Sequence, residues 1–314
     1  MALTMNDVER FEASRPRLEA IAYRLLGSAS EAEDAVQETY LRWQATDTDR
    51  VEVPEAWLTK VLTNLCLNQL TSARARRETY VGQWLPEPLL AGDPMLGPAD
   101  TAEQRESVSF AVLALLERLS PGERAVYVLR EAFGYAHREI AGILDLTEAA
   151  SQQIFHRAKK HVAEGRARTE IDEAAARRVV EEFLAAATSG RTEPLVRLLT
   201  QDAVSIGDGG GKVPARAKAF EGARAVATFM RGLFKPGKAK RALAGGTVGI
   251  YADTANGDPA VVAVVDGRVI GVMCLEVTPE GIAGFRNQVN PDKLERATLR
   301  WASTDHGEPL FNAF

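Results

Sequence analysis

A chain of 314 residues with 46% apolar content is long enough for two or three domains with ordinary packed cores, which excludes a disordered tail. Its formal net charge of −5 excludes a protein that coats nucleic acid unaided, so any DNA contact has to be local or assisted. Cys66 and Cys274 stand far apart within apolar runs, the pattern of buried thiols in a reducing compartment; no disulfide, metal site or cofactor is expected.

The amino terminus, MALTMNDVERFEASRPRLEAIAYRLLG, carries charges throughout and no apolar run of signal or membrane length, so a cytoplasmic protein without a membrane partner is expected. From Val8 to Leu26 the positions Val8, Phe11, Leu18, Ile21, Ala22 and Leu25 follow helical spacing and end at Gly27 in a C-cap setting. A second helix starts after Ser30. Its stretch EAEDAVQETYLRW turns Ala35, Val36, Tyr40 and Leu41 inward and leaves Glu33, Asp34, Gln37, Glu38 and Arg42 as a polar, mostly acidic surface; by itself this is a solvated face. Residues 45–54, ATDTDRVEVP, lack a helical period and end in proline, which predicts a loop. The helix that follows, PEAWLTKVLTNLCLNQLTSARARRE, closes in Arg74, Arg76 and Arg77. Asn64 and Asn68 sit four apart on one of its faces, where asparagine is a poor helix former unless its amide is used. Trp43 and Trp57 flank the loop and fit either a core or a stacking platform.

Residues 80–100, YVGQWLPEPLLAGDPMLGPAD, have prolines at 86, 88, 94 and 98, which rule out a continuous helix and favour an extended, semi-rigid path. A mere spacer would not carry Trp84, Leu85, Leu89 and Leu90, which need a surface to bury against. Further on, YAHREIAGILDLTEAASQQIFHRAKKHV (135–162) has the outline of a helix-turn-helix. Ile140, Ile143 and Leu144 share a face, Asp145-Leu146-Thr147 interrupts the run, and Thr147 caps a second helix from Glu148. On that helix Gln152, Gln153 and His156 suit base edges, while Arg157, Lys159 and Lys160 suit phosphates. Two amphipathic helices with a solvated basic end would read the same way.

From Ile171 to Phe314 the composition shifts toward glycine and β-branched residues. The helix IDEAAARRVVEEFLAAATSG packs Val179, Val180, Phe183 and Leu184 on one face, and short helices follow at TEPLVRLL and GARAVATFMRGLF. Strand-like runs TVGIYA, PAVVAVVDG, RVIGVMCLEVTPEG and IAGFRNQVN come next, with turns at NGD, DG and PEG. A helix trio followed by a curved antiparallel sheet predicts an α+β cone. DGGGK (208–212) reads as a turn or as a loop admitting close backbone approach, and NPDKL (290–294) as a chain reversal. No catalytic residue is expected. His137, His156, His161 and His306 all lie outside the cone body, and Asp202, Asp208, Asp253, Asp258, Asp266 and Glu276 each adjoin a turn or strand end, where a solvated acid is the ordinary finding. A pocket holding a small apolar ligand stays open.

SEAEDAVQETYLRW, a loop, and EAWLTKVLTNLCLNQL resemble region 2 of the extracytoplasmic-function sigma factors, and residues 103–168 resemble region 4, in the same order. The last part resembles the SnoaL-like group of the nuclear-transport-factor superfamily. WLPEP, DGGGK and NPDKL resemble motifs of sigma factors that carry this extra domain, which implies a non-enzymatic transcription factor: region 2 in 1–78, a linker in 79–102, region 4 in 103–168 and a regulatory SnoaL-like domain in 171–314. By resemblance, Asp34, Gln37, Glu38, Leu41 and Arg42 dock on the clamp helices of the RNA polymerase largest subunit, and the flap is the other partner on the polymerase core. Trp43, Asn64, Asn68, Arg74, Arg76 and Arg77 meet the −10 element around a flipped base, and Gln152, Gln153, His156, Arg157, Lys159 and Lys160 meet the −35 element. Regulatory contacts fall to Trp84, Leu85, Pro86, Asp208, Gly209, Gly210, Lys212, Asn290, Pro291, Asp292, Lys293 and Leu294, three stretches that should meet in space. Two positions depart from the family pattern. Asp145 stands where a turn glycine is usual and Ser151 where an apolar residue packs; aspartate tolerates left-handed geometry, and a buried serine hydroxyl can bond back to the preceding turn. The rival readings are a cone-fold isomerase or cyclase fused to DNA-binding helices, and a helix-turn-helix regulator that acts without polymerase.

Overall fold

A computed structural model describes residues 5–78, 80–97, 101–163, 173–215 and 218–313. The chain divides into two compact units, Met1–Thr79 with Gly92–Gly165, and Tyr80–Ala91 with Arg166–Phe314. The division falls inside the proline-rich linker, whose first half belongs with the C-terminal unit.

The first unit is helical. Helix α1 (Met5–Leu26) buries Phe11, Leu18, Ile21, Ala22 and Leu25 of the positions its periodicity marks, leaves Val8 half-buried, and ends at Gly27, whose φ of 68° closes the turn. Ser28 caps α2 (Ala29–Ala45) by accepting from the Glu31 amide. A single turn at Thr48–Arg50 interrupts the predicted loop, and α3 (Pro54–Glu78) packs Leu58, Leu62 and Cys66 against the first two helices. The second half holds α4 (Ala102–Glu106), α5 (Phe110–Leu116), α6 (Pro121–Tyr127), α7 (His137–Leu144) and α8 (Glu148–Ala163). Ser120 and Glu123 form a reciprocal capping box at the start of α6. Asp145 ends α7 in the left-handed conformation, φ 52° and ψ 48°, which a short polar side chain tolerates. Ser151 is wholly buried, but its hydroxyl does not bond back to its own helix: it pairs with His137 Nδ1 at 2.9 Å, because α7 lies against α8 and presents that ring.

The second unit is the α+β cone. Helices α9 (Glu173–Thr188) and α10 (Glu193–Leu198) lead into β1 (Leu199–Asp208) and β2 (Phe220–Glu221); α11 (Ala223–Phe234) and α12 (Lys238–Ala244) precede β3 (Val248–Ala255), β4 (Asp258–Val265), β5 (Arg268–Thr278) and β6 (Gly281–Gln288). Helix α13 (Glu295–Ala302) and β7 (Phe311–Ala313) complete it. The seven-stranded order is β2-β1-β6-β5-β4-β3-β7, and β1 runs parallel to β6. The sheet is therefore mixed, not antiparallel throughout. LTQDAVSIGD lacks a continuous apolar run and so does not announce itself as a strand; it finds its parallel partner some 80 residues on, after two helices and the intervening strands of the same sheet. Phe183, Met230, Val261, Met273, Leu275 and Phe285 fill the inner face. Val262, Val272 and Cys274, which point the other way, are equally buried. Among the described residues no helix is long and apolar enough to cross a membrane, and no group of three His, Cys, Asp or Glu side chains is placed to hold a metal ion.

Candidate polymerase and promoter surfaces and the linker clasp

Helix α2 separates its residues cleanly. Ala32, Ala35, Val36, Thr39 and Trp43 are buried, while Asp34, Gln37, Leu41 and Arg42 face solvent and Glu38 is half-buried, bonded to Arg42 at 2.9 Å. Leu41 is 49% exposed and does not pack inward as its spacing predicts. It stands among the polar residues, and an exposed leucine there gives the stripe an apolar centre.

Trp43 is a core residue. It is wholly buried, donates Nε1–H to the Asp7 carbonyl at 3.1 Å and lies 5.3 Å from the Trp57 ring, so it has no open face on which a base could stack. Trp57 instead lines an open pocket of about 590 Å³ with Thr46, Asp47, Arg50, Val51, Glu52 and Val53, formed by the loop between α2 and α3. Asn64 is half-buried and Asn68 exposed on α3. The side chains of Arg74, Arg76 and Arg77 lie outside the described residues.

On α8, Gln152, Gln153, His156, Arg157, Lys159 and Lys160 are all exposed, whereas Ser151 and Ala158 are buried. One face is thus exposed to solvent while the other holds the fold. Lys159 is occupied differently from its neighbours: its Nζ sits 2.9 Å from Glu131 and 5.7 Å from the Phe155 ring centroid. Arg157 stands 3.7 Å from Glu123, at the limit of an ion pair.

In the cone the three short motifs meet. Asp208 is wholly buried and accepts five hydrogen bonds: from the Tyr80 hydroxyl (2.7 Å), the Leu85 amide (2.9 Å), the Gly210 amide (3.0 Å), Gln288 Nε2 (3.3 Å) and Lys293 Nζ (2.7 Å). Lys293 also donates to the Leu85 carbonyl at 2.7 Å, and its Nζ lies 4.3 Å from the Trp84 ring centroid and 4.8 Å from that of Tyr80. Gln288 holds the Leu85 and Pro86 carbonyls. Asn290 donates to the Tyr80 hydroxyl at 3.0 Å and caps the short turn at Pro291–Lys293 by accepting from the Asp292 amide. Gly210 has φ 59°, and any Cβ there would run into the Asn290 amide; a Cβ on Gly209 would meet the Val213 carbonyl. The glycines therefore permit close approach and are more than a turn. Lys212 and Asp292 make an exposed pair at 2.6 Å, and Leu294 is buried. Burial and the Asp208 carboxylate push the Tyr80 phenol above its ordinary range, so it stays protonated and donating.

Tyr80 and Gln288 escape motif reading, since neither belongs to WLPEP, DGGGK or NPDKL; the one available signal is a glutamine ending a buried strand. The solvated-acid expectation fails at four positions, one of them Asp253, whose side chain is 16% exposed beside His306. Asp208 is buried in the clasp, Asp258 is 6% exposed, and Glu276 pairs with Arg286 at 2.8 Å with both side chains largely covered. Partners far along the chain reach Asp208, and the neighbouring strand supplies Arg286 to Glu276, which compensates their lost hydration.

The Sigma-70 region 2 family matches residues 10–76, and the Sigma-70, region 4 family matches residues 109–162. The chain is 36% identical to the ECF RNA polymerase sigma factor SigJ of Mycobacterium tuberculosis, over 94% of this chain and 95% of that protein. It belongs to the extracytoplasmic-function RNA polymerase sigma factors. The probable ECF RNA polymerase sigma factor SigI of the same organism is 30% identical over 91% of this chain and 93% of its own length. The crystal structure of SigJ superposes with a TM-score of 0.71 at 32% identity, covering 91% of this chain and 97% of that one. The match to SigJ runs through the cone as well as the helices, so this sigma factor shares its added domain with that relative. Promoter-specific transcription initiation with RNA polymerase is the work of the family.

Proposed function

We propose that this sigma factor docks on the clamp helices of the polymerase largest subunit through Asp34, Gln37, Glu38, Leu41 and Arg42, and reads its promoter in two places. The pocket beside Trp57 receives an unstacked base of the −10 element, with Asn64 and Asn68 along the neighbouring strand. The exposed face of α8 enters the major groove at the −35 element, with Gln152, Gln153 and His156 toward bases and Arg157 and Lys160 toward phosphates. Residues 1–78 and 103–168 serve as regions 2 and 4, 79–102 as the linker and 171–314 as the SnoaL-like domain, and the protein works in the cytoplasm. The cone acts by holding the linker and not by turning over a substrate.

The observation that carries the regulatory half is Asp208. A buried carboxylate that gathers donors from the linker, the last strand and the Pro291–Lys293 turn fixes the path of Tyr80–Leu85. That path is part of the chain joining regions 2 and 4, so a tie released or reformed there changes promoter output.

Two experiments test the halves separately. Run-off transcription with core polymerase against a promoter library is expected to give discrete start sites, and Asp34→Arg with Glu38→Arg is expected to abolish polymerase pull-down while the circular dichroism stays that of the folded chain. A folded double variant that still binds core polymerase removes the docking assignment. Trp84→Ala is expected to change promoter output far more than helical stability; unaltered output would remove the regulatory one.

A further inference from the structure

Between Gly222 and Ala252 the chain carries six cations, Arg224, Arg231, Lys235, Lys238, Lys240 and Arg241, and no aspartate or glutamate, in a protein whose net charge is −5. They sit on α11, on α12 and in the bend between them. Helix α11 turns Val226, Ala227, Met230 and Phe234 into the core of the cone. Its opposite face exposes Arg224, Ala225, Thr228 and Gly232, with Arg231 half-buried beside them and Lys235 exposed just past its end. Arg224, Thr228, Arg231 and Lys235 follow one another at i, i+4, i+7 and i+11, which makes one stripe. Nothing lies within 4 Å of where a Cβ on Gly232 would stand, so that face is open.

Lys240 has a task of its own. Its ammonium turns back to the carbonyls of Gly232, Leu233 (2.9 Å) and Lys235 (2.8 Å), which closes the end of α11 and fixes the bend that carries Lys235 and Lys238. The other five cations have no acid partner among the described residues. Elsewhere the helices pair such charges: Arg15 with Glu12, Arg42 with Glu38, Lys159 with Glu131 and Arg177 with Glu181. Like charges held side by side repel, and an anion brought from outside relieves that repulsion.

Chemistry narrows the anion. Protein interfaces are anchored by aromatic and apolar side chains and are poor in lysine, whereas the stripe on α11 sets its cations among alanine, threonine and glycine. A lipid surface would take the apolar side of a basic helix, and on α11 that side is spent in the core. A phosphodiester backbone needs only cations and room for close approach. From Arg224 to Lys235 the helix rises roughly 17 Å, a length over which duplex DNA carries about ten phosphate charges.

We propose that the α11–α12 face of the cone is a sequence-independent site for the DNA backbone, which engages promoter phosphates through Arg224, Arg231, Lys235, Lys238 and Arg241 in the polymerase complex. The added domain thereby gains a role beyond its hold on the linker: it anchors itself on the promoter. None of the residues read above as facing the −10 or −35 element takes part.

The test compares two full-length variants, Lys235→Gln with Lys238→Gln, and Arg177→Gln with Arg178→Gln. All four side chains are exposed, and the second pair removes the same charge from α9 of the same unit. With core polymerase and a promoter fragment that includes flanking DNA, the first pair is expected to weaken binding about ten-fold at low salt. It is also expected to lower the slope of log affinity against log salt by about two. The α9 pair is expected to change neither. Unaltered binding by the first pair, or an equal loss from both, overturns the site. A second readout locates the anion. Gly232→Cys, carrying a photoreactive label that the buried Cys66 and Cys274 do not take up, is expected to crosslink to promoter DNA in the assembled complex. Crosslinking to a polymerase subunit alone would make an acidic protein surface the partner and overturns the DNA assignment, as does the absence of any crosslink.

Discussion

Lys293 holds its ammonium 2.7 Å from the wholly buried carboxylate of Asp208 while the Trp84 ring lies 4.3 Å from the same nitrogen. One cation therefore touches the linker through a ring, the linker again through the Leu85 carbonyl, and the glycine loop through its acid. Removing either charge leaves the other buried and unmatched.

Asp208→Asn and Lys293→Met are each expected to destabilise the cone by about 3–5 kcal/mol, because a desolvated charge without its partner is costly. The double variant is expected to lose less than the sum of the two, since it leaves no uncompensated ion. Urea unfolding of the full chain measures this, with limited proteolysis across residues 80–91 reporting release of the linker. Additive losses would show that the pair is not coupled.

Gly210→Ala is expected to be as damaging as the loss of a clasp residue. Its backbone sits at φ 59°, and the added methyl would push against the Asn290 amide, which is held by Tyr80. Gly82, at φ 94° but facing open space, is the control: alanine there strains only its own backbone. Thermal unfolding of the two variants should show the larger drop for Gly210, and equal drops would mean that close approach contributes nothing.

On α8 the basic residues divide by how closely a partner already holds them, Lys159 at 2.9 Å from Glu131 and Arg157 only at 3.7 Å from Glu123. Lys160→Ala and Arg157→Ala are expected to weaken promoter binding across sequences and to flatten its dependence on salt. Lys159→Ala is expected to do so less, because its ammonium faces Glu131. Gln152→Ala and Gln153→Ala should instead relax base discrimination by about 1–3 kcal/mol for each bidentate amide–base pairing removed. Competition binding of the polymerase complex over a randomised −35 element at several salt concentrations separates the two classes, and equal effects of Lys159 and Lys160 would remove the distinction.

What the sequence determined by itself is local. The 3.6-residue spacing of Phe11, Leu18 and Ile21, the Asp145-Leu146-Thr147 break, the β-branched runs of the later strands and the prolines of the linker are all effects of neighbours on neighbours, so helices, turn, strands and linker are legible in one dimension. Short motifs in the right order also carry the family. Tertiary structure alone decided which side of each pattern matters. Trp43 and Leu41 lie two residues apart on one helix, yet one is sealed in the core and the other faces solvent, because the packing of α1 and α3 chooses the buried arc. The parallel pairing of β1 with β6 depends on a crossover that periodicity does not encode. Asp208 reads as an ordinary strand-end acid until Tyr80, 128 residues earlier, and Lys293, 85 residues later, converge on it. Burial of a charge is fixed by partners brought together from a distance, and no local rule of sequence reports it.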